Sequence, residues 1–384
     1  MPFTKYFIMP KKPNEILFLN LYAFSLTGGV EKVSRKFIYA LGKLFPDSTW
    51  SSYSMYDDHK DTDNRYIAPE KYRTFKGAKF AFVIASFLKG LRSRTIILSH
   101  LNLLPVARLI TAVKPRQKVV MFAHGIEVWD ELPAWKTKFL RKKVQIWAVS
   151  NFTREKMIMQ HHIAPQQIMV LNNCLSPFLK LPQNFEKPAY LLDKYEINSQ
   201  VPVIFTLNRL SASEKYKGYD RVITALGKLK QQQHQAFTYI LAGKADETER
   251  IRLTKLIEAN NLVNEVKMIG YLSEEELTPH FLLSDLFIMP SKGEGFGIVF
   301  IEAAAHGCKV IGGNLDGSTD ALLNGQLGQL IDPNEEAEIL TAIQKALANK
   351  NHQPKIQQQT TVQHFGFNSY LSKVKELLNN PLTN

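Results

Sequence analysis

The sequence predicts an α/β protein of two domains, each built on a parallel sheet with helices packed against it. Three observations carry this reading. At 384 residues the chain exceeds the usual size of one hydrophobic core. Its first half alternates short apolar runs with stretches of helical periodicity. A segment rich in Pro and Asn, LNNCLSPFLKLPQNFEKPAYLL (171–192), then interrupts that rhythm, and the same alternation restarts beyond it.

In chain order, EILFLN (15–20) is a compact apolar strand ending in the loop LYAFSLTGG. The following segment sets Val30, Val33, Phe37, Ala40, Leu41 and Leu44 at helical spacing. Further strands are predicted at TIILSH (95–100), KVVMFAH (118–124) and VQIWAVS (144–150), with helical stretches between them, the βαβ rhythm of a parallel sheet. They end in His100, His124 and Ser150, and ligands of open α/β sheets gather at such carboxyl ends. After the hinge segment, strands are predicted at 201–210, 237–243, 266–270, 286–291 and 309–313. The tail beyond Asn349 begins polar and Gln-rich and closes on a short helix, SYLSKVKELL.

Apolar residues make up 45% and charged residues 22%, which suits a packed core and excludes a disordered or fibrous chain. Cys174 and Cys308 are too few for a disulfide framework, and the start, MPFTKYFIMPKKPNE, has prolines where an apolar leader should run. A reducing cytoplasm is the expected location. The longest apolar segment, FAFVIASFL (80–88), is under half of the roughly 20 residues a spanning helix needs.

The net charge of +13 is concentrated. Between Lys71 and Lys143 there are 16 Lys+Arg against 3 Asp+Glu, which equals the whole excess. Residues 71–94 interleave aromatics and aliphatics with lysines, and 135–143 read WKTKFLRKK. Both can lie on an anionic membrane surface as a peripheral contact. A core-packing helix with a solvated basic face reads the same, and nucleic acid, though not expected as a partner, is a third use of such charge.

The most informative stretch is SKGEGFGIVFIEAAAHGCKVIGG. A predicted strand leads into a loop with Gly293, Gly295 and Gly297, then a helix from about Ile298 closed by Gly307. Bare glycines and the unpaired N–H groups of a helix start let an anion approach closely, which makes a phosphate site. Glu302, on the helix, can accept from vicinal ribose hydroxyls, and Glu294, in the loop, from sugar hydroxyls; ordinary helix capping is the alternative. In LNRLSASEKYKGYDRVITAL a strand ends at Arg209, and Lys215, Lys217 and Gly218 lead into a helix. Two cations beside a phosphate cradle would stabilise a diphosphate leaving group, with no metal required; a solvated lysine loop is the alternative for Lys215. Near the start, Gly28 and Gly29 repeat the strand–glycine–helix theme and can face a diphosphate or an acceptor. No G-x-G-x-x-G, Walker, zinc-ligand or nucleophile-elbow pattern occurs.

Taken together these motifs resemble the retaining glycosyltransferases of the two-domain GT-B type, in particular family four of the nucleotide-sugar transferases. The resemblance rests on GGVE near the start, AHGIE (123–127), AVSNFTREKM (148–157), Asn173, NRL…YKGYDRVI, and EGFGIVFIEAAAHG with its glutamates eight positions apart. It implies two Rossmann-like domains facing a cleft: an acceptor domain at 1–180, a nucleotide-sugar domain at 181–365, and a helix at 366–384 packing back on the first. It implies that Arg209 and Lys217 hold the donor phosphates and Glu302 the ribose. Glu294, Gly295 and the backbone of Phe296, Gly297 and Ile298 would hold sugar and diphosphate, with Gly28 and Gly29 also on the donor. His124, with Glu127, would stand on the acceptor side near the anomeric carbon. No resident cofactor is implied; a GDP- or UDP-linked sugar is the co-substrate, and a saccharide or lipid-linked molecule the acceptor, as in surface polysaccharide, lipopolysaccharide or glycolipid assembly.

Two departures stand out. The hinge reads Asn173-Cys174-Leu175-Ser176 where many relatives carry Asn-Gly-Val-Asp. The turn after the strand at 309–313 reads GGNLDGSTDAL, with Asp316 and Asp320, where many carry Gly-Gly-x-x-Glu; contact with the donor sugar is expected there. The competing reading is a protein that keeps the fold without catalysis, a binding protein or basic membrane-surface adaptor.

Overall fold

The computed structural model describes residues 15–46, 50–233 and 236–379. Residues 1–14, on which the expectation of no leader rested, and the last five residues of the expected C-terminal helix lie outside them. The described strands are β1 (Ile16–Asn20), β2 (Trp50–Ser54), β3 (Tyr72–Thr74), β4 (Thr95–Leu98), β5 (Lys118–Ala123), β6 (Val144–Ala148), β7 (Ile168–Val170), β8 (Val203–Leu207), β9 (Thr238–Ala242), β10 (Val266–Gly270), β11 (Leu286–Met289), β12 (Lys309–Gly313) and β13 (Gln329–Ile331). The α-helices are α1 (Gly29–Leu44), α2 (Lys79–Arg92), α3 (Leu104–Val113), α4 (Ala134–Lys143), α5 (Asn151–His161), α6 (Ala189–Lys194), α7 (Tyr219–Gln233), α8 (Glu247–Ala259), α9 (Glu274–Leu283), α10 (Ile298–Ala305), α11 (Ser318–Ala321), α12 (Glu336–Ala348), α13 (Pro354–Phe365) and α14 (Phe367–Asn379).

They build two parallel Rossmann-like sheets, ordered β3-β2-β1-β4-β5-β6-β7 and β10-β9-β8-β11-β12-β13. The α/β fold class read from the sequence therefore holds. Among the described residues the chain divides into two compact units, one of residues 15–123 and 132–147, the other of 124–131 and 148–379. Residues 124–131, 148–180 and 366–379, assigned by the sequence reading to the first domain, group here with the second unit.

In the first unit, Phe18 of β1, Phe37 of α1, Phe122 of β5 and Trp147 of β6 meet edge to face at centroid distances of 4.9 to 5.9 Å along Phe18–Phe37–Phe122 and Phe37–Trp147. All four are buried. Sheet order reverses between β1 and β4, and the loop after β1 is fixed by a buried carboxylate, Asp57, which accepts the N–H groups of Ala23 (2.8 Å), Phe24 (3.1 Å) and Ser25 (3.0 Å) and the hydroxyl of Tyr72. That loop delivers Gly28, the residue capping α1, and Gly29 at its first turn.

The second unit packs α7, α8 and α12 on one face of its sheet through Tyr219, Val222, Leu226, Leu253, Ile339 and Ile343, all buried. Sheet order reverses between β8 and β11, so the loops leaving these two strands flank the switch point where ligands of open α/β sheets bind.

Candidate active site

Both of the most informative sequence motifs lie on those two loops of the second unit. After β8 the chain passes Asn208 and Arg209, makes a tight turn at 212–217, and enters α7 through Gly218 at φ 77°. A side chain at Gly218 would run into the carbonyl of Pro290, the residue after β11, so glycine is required by both conformation and contact. The loops are tied further by the Lys292 N–H donating to the Tyr216 carbonyl (3.0 Å), and by Gly293 lying against the Tyr216 ring.

Lys217 joins the two loops electrostatically. Its Nζ lies 3.3 Å from Glu214 Oε2 and 3.2 Å from Glu294 Oε1. Burial pushes the ammonium towards its neutral form, but the charges of Glu294 and Glu214 outweigh it and raise its pKa. Lys217 is a cation at any physiological pH. An ammonium has three donors, so two carboxylates leave one for a phosphate oxygen. Arg209 Nη1 stands 3.0 Å from the other oxygen of Glu214, with the Arg209 side chain 67% exposed. With its guanidinium largely in solvent and Glu214 15% exposed, the pair is worth about 1 kcal/mol, so an arriving anion can take the guanidinium from Glu214 at modest cost. The four side chains sum to no net charge. An anion arriving here would therefore depend on the release of Arg209 and on the amides at the start of α10.

Those amides are presented by Gly297, which caps α10 at φ 80° without any side-chain cap. The helix carries Ile298, Phe300, Ile301 and Ala303 to Ala305 into the core, while Glu302 is half-buried. Phe296 is buried, its ring 5.5 Å from that of Phe365 and edge-on to it. Gly295 passes so close to the carbonyl of His124 that no Cβ fits between them. His124, half-buried, donates its own N–H to Glu127 Oε1 (2.5 Å). The His124–Glu131 turn is in turn seated on α5, where His161 Nε2 meets the Val128 carbonyl at 2.7 Å.

Arg209, Lys217, Glu294, Gly295, Phe296, Gly297, Ile298 and Glu302 thus fall on the loops and helix at one switch point, and the His124–Glu127 turn packs on Gly295. Gly28 and Gly29 belong to the first unit. Asp316 is fully buried and binds the N–H groups of Glu294 (2.7 Å) and Ser318 (2.9 Å), and Asp320 Oδ1 accepts from the backbone N–H (2.9 Å) and side-chain amide (2.8 Å) of Asn151 at the start of α5. Both act on protein groups in this structure. Asp57 and Glu214 were not singled out in the sequence, and Asp316 was noted there only for a donor contact; Asp57 and Asp316 each fix a loop distant along the chain.

Comparison with known proteins agrees with this fold. Residues 191–363 match the family of glycosyl transferases group 1. The chain is similar to a GDP-mannose-dependent alpha-(1-6)-phosphatidylinositol monomannoside mannosyltransferase of Mycobacterium tuberculosis, 27% identical over 263 residues, 65% of this chain and 64% of the relative. It is also similar to the serotype-specific mannosyltransferase WbdA of Escherichia coli, 25% identical over 207 residues, 53% of this chain and 24% of that protein. The chain therefore spans less than two thirds of the length of these relatives. In fold it matches the glycosyltransferase of Rickettsia africae ESF-5 (TM-score 0.76, 20% identity, 96% of this chain and 100% of that one) and Anabaena HepE solved with UDP and glucose (TM-score 0.76, 19% identity, 95% and 99%). The match makes residues 191–363 a glycosyl transferases group 1 segment, carried in a chain whose two parallel sheets are of GT-B-like fold.

Proposed function

We propose that the chain is a retaining, metal-independent hexosyltransferase that takes a sugar from a GDP- or UDP-linked donor to a saccharide or lipid-linked acceptor. Its setting would be surface polysaccharide or glycolipid assembly at the cytoplasmic face of a membrane. The observation that carries the reading is Lys217 held between Glu214 and Glu294 at the β8/β11 switch point, beside the glycine-capped start of α10.

In this reading Arg209 and Lys217 bind the donor diphosphate, the amides following Gly297 complete the cradle, Glu302 binds ribose hydroxyls and Glu294 sugar hydroxyls. As the bond from the anomeric carbon to the phosphate oxygen breaks, the negative charge growing on that oxygen is met by groups already in position. The acceptor oxygen bonds to the anomeric carbon on the same face, and its proton passes to the leaving phosphate. His124, with Glu127 fixing its backbone, stands on the acceptor side. The donor base is left between GDP, which the mycobacterial relative's name specifies, and UDP, which HepE binds.

Calorimetric titration against UDP, GDP, ADP and dTDP and their sugar conjugates, without added metal, tests the reading. Selective binding of one diphosphate is expected, and binding of none would overturn it.

A further inference from the structure

Helix α2 wears its apolar residues on the wrong side. Phe80, Ile84 and Leu88 are spaced four apart, share one face and are 89%, 60% and 57% exposed. The opposite face buries Phe82, Ser86 and Gly90. The helix is firmly seated: Gly90 abuts Ile110 of α3, and Lys114 Nζ donates to the carbonyls of Leu91 (3.3 Å) and Ser93 (2.6 Å). The exposed stripe is therefore a fixed surface of a folded unit. Helix α3 beside it exposes Leu109 and Val113 as well.

The charge that residues 71–147 bring to this unit has one sign. Residues 71–123 and 132–147 contain 16 Lys+Arg and no Asp or Glu. Lys89 pairs with Glu15 and Lys76 with Asp58 (3.0 Å), while Lys79 and Arg92, at the two ends of α2, and Arg116, beyond α3, are exposed. The segment at 135–143, which the sequence reading joined to 71–94 as an equal, differs in kind. Helix α4 buries Leu140 and exposes Lys138, Arg141, Lys142 and Lys143, supplying charge without an apolar stripe.

We propose that the solvent face of α2 docks on an anionic lipid bilayer, with Phe80, Ile84 and Leu88 entering the headgroup boundary and Lys79 and Arg92 on lipid phosphates. A bilayer surface is the partner that offers both an apolar layer and a sheet of negative charge to such a face. No described helix is long and apolar enough to cross a membrane, so the contact is a surface one. The inference rests on the first unit alone and is independent of the transferase reading.

Co-sedimentation of the full chain with phosphatidylcholine vesicles, with and without phosphatidylglycerol, at low and high salt, tests it. The chain should pellet with the anionic vesicles and be released as salt rises. The triple variant Phe80→Ser, Ile84→Ser, Leu88→Ser should lose about tenfold or more in vesicle partitioning while keeping its thermal midpoint and donor binding. Arg92→Ala should reduce the salt-sensitive part alone. Absence of binding to anionic vesicles, or equal binding by the triple variant, would overturn the proposal. So would a dimer, seen by analytical ultracentrifugation without vesicle uptake, that the triple variant dissociates.

Discussion

The carboxylate of Asp316 grips the backbone of Glu294: its Oδ2 accepts the Glu294 N–H at 2.7 Å while the next residue, Gly317, donates its own N–H to the Glu294 carbonyl at 2.8 Å. Both backbone groups of the loop residue that also binds Lys217 are thereby fixed by the turn after β12. Asp316 Oδ1 accepts from Ser318 at 2.9 Å, closing the turn on itself. Burial pushes the Asp316 carboxyl up to about 6; the hydrogen bonds from Ser318 and Glu294 oppose this, and the Glu294 charge adds to it.

A pH dependence follows from that shift. Asp316 in the folded chain holds a proton that the unfolded chain releases from its ordinary value of 3.8 upward. Its contribution to stability is fully present below about pH 4 and is lost as pH rises through about 6, a change of about 3 kcal/mol. Urea unfolding of the wild type and Asp316→Asn at pH 4 and pH 7 measures it. The wild type should lose about that much relative to the variant between the two values, and parallel behaviour would show that Asp316 does not titrate in this range.

Lys217 and Arg209 should separate stability from catalysis. Lys217→Ala leaves Glu214 and Glu294 facing each other without their shared cation, and breaking such a largely buried group costs up to about 3–5 kcal/mol. Arg209→Ala removes a pair whose guanidinium is largely in solvent and should cost about 1 kcal/mol. Each should remove about 2–4 kcal/mol of transition-state stabilisation. Urea midpoints beside kcat/KM make the comparison; near-normal turnover of Arg209→Ala would remove it from the proposed donor site.

Glu302 offers a test confined to binding. A lost hydrogen bond to a charged acceptor is worth about 1.5–3 kcal/mol, so Glu302→Ala should weaken nucleoside diphosphate binding by at least about tenfold. The half-buried position of Glu302 on α10 predicts little change in folding. An unchanged Kd by calorimetry would take the ribose contact away from this residue.

The central strands were legible because burial on both faces makes them continuous apolar runs: β1, β4, β5, β6, β8, β9, β11 and β12 all lie within predicted segments. The strands not predicted, β2, β3, β7 and β13, are partly exposed, three of them only three residues long, and WSSYS in β2 has no apolar run to read. Helix α13 was hidden in a Gln-rich tract because a polar tie seats it: buried Gln358 donates to the carbonyls of Pro182 (3.1 Å) and Ala305 (3.0 Å). At the site, the glycine loop announced itself through residue types that its contacts require. Glu214 did not, and the grip of Asp316 on the Glu294 backbone did not either, since an acidic residue in a loop reads as solvated until the fold sets it beside its partner.

Glycines separate in the same way by what stands against them. Gly29 opens α1 with nothing near its Cβ position, so Gly29→Ala should leave unfolding unchanged or raise stability by up to about 1 kcal/mol. Gly295 is different, because an added Cβ would overlap the backbone carbonyl of His124, which cannot turn aside as a flexible side chain would. Gly295→Ala must part the Glu294 loop from the His124–Glu131 turn, at about 1–3 kcal/mol or more in stability. In the proposed reaction this displaces the acceptor-side histidine from the sugar-binding glutamate while Arg209 and Lys217 stay in place. Turnover should then fall more than donor affinity. Wild-type kcat in Gly295→Ala would mean that the close approach of these two loops plays no part in the chemistry.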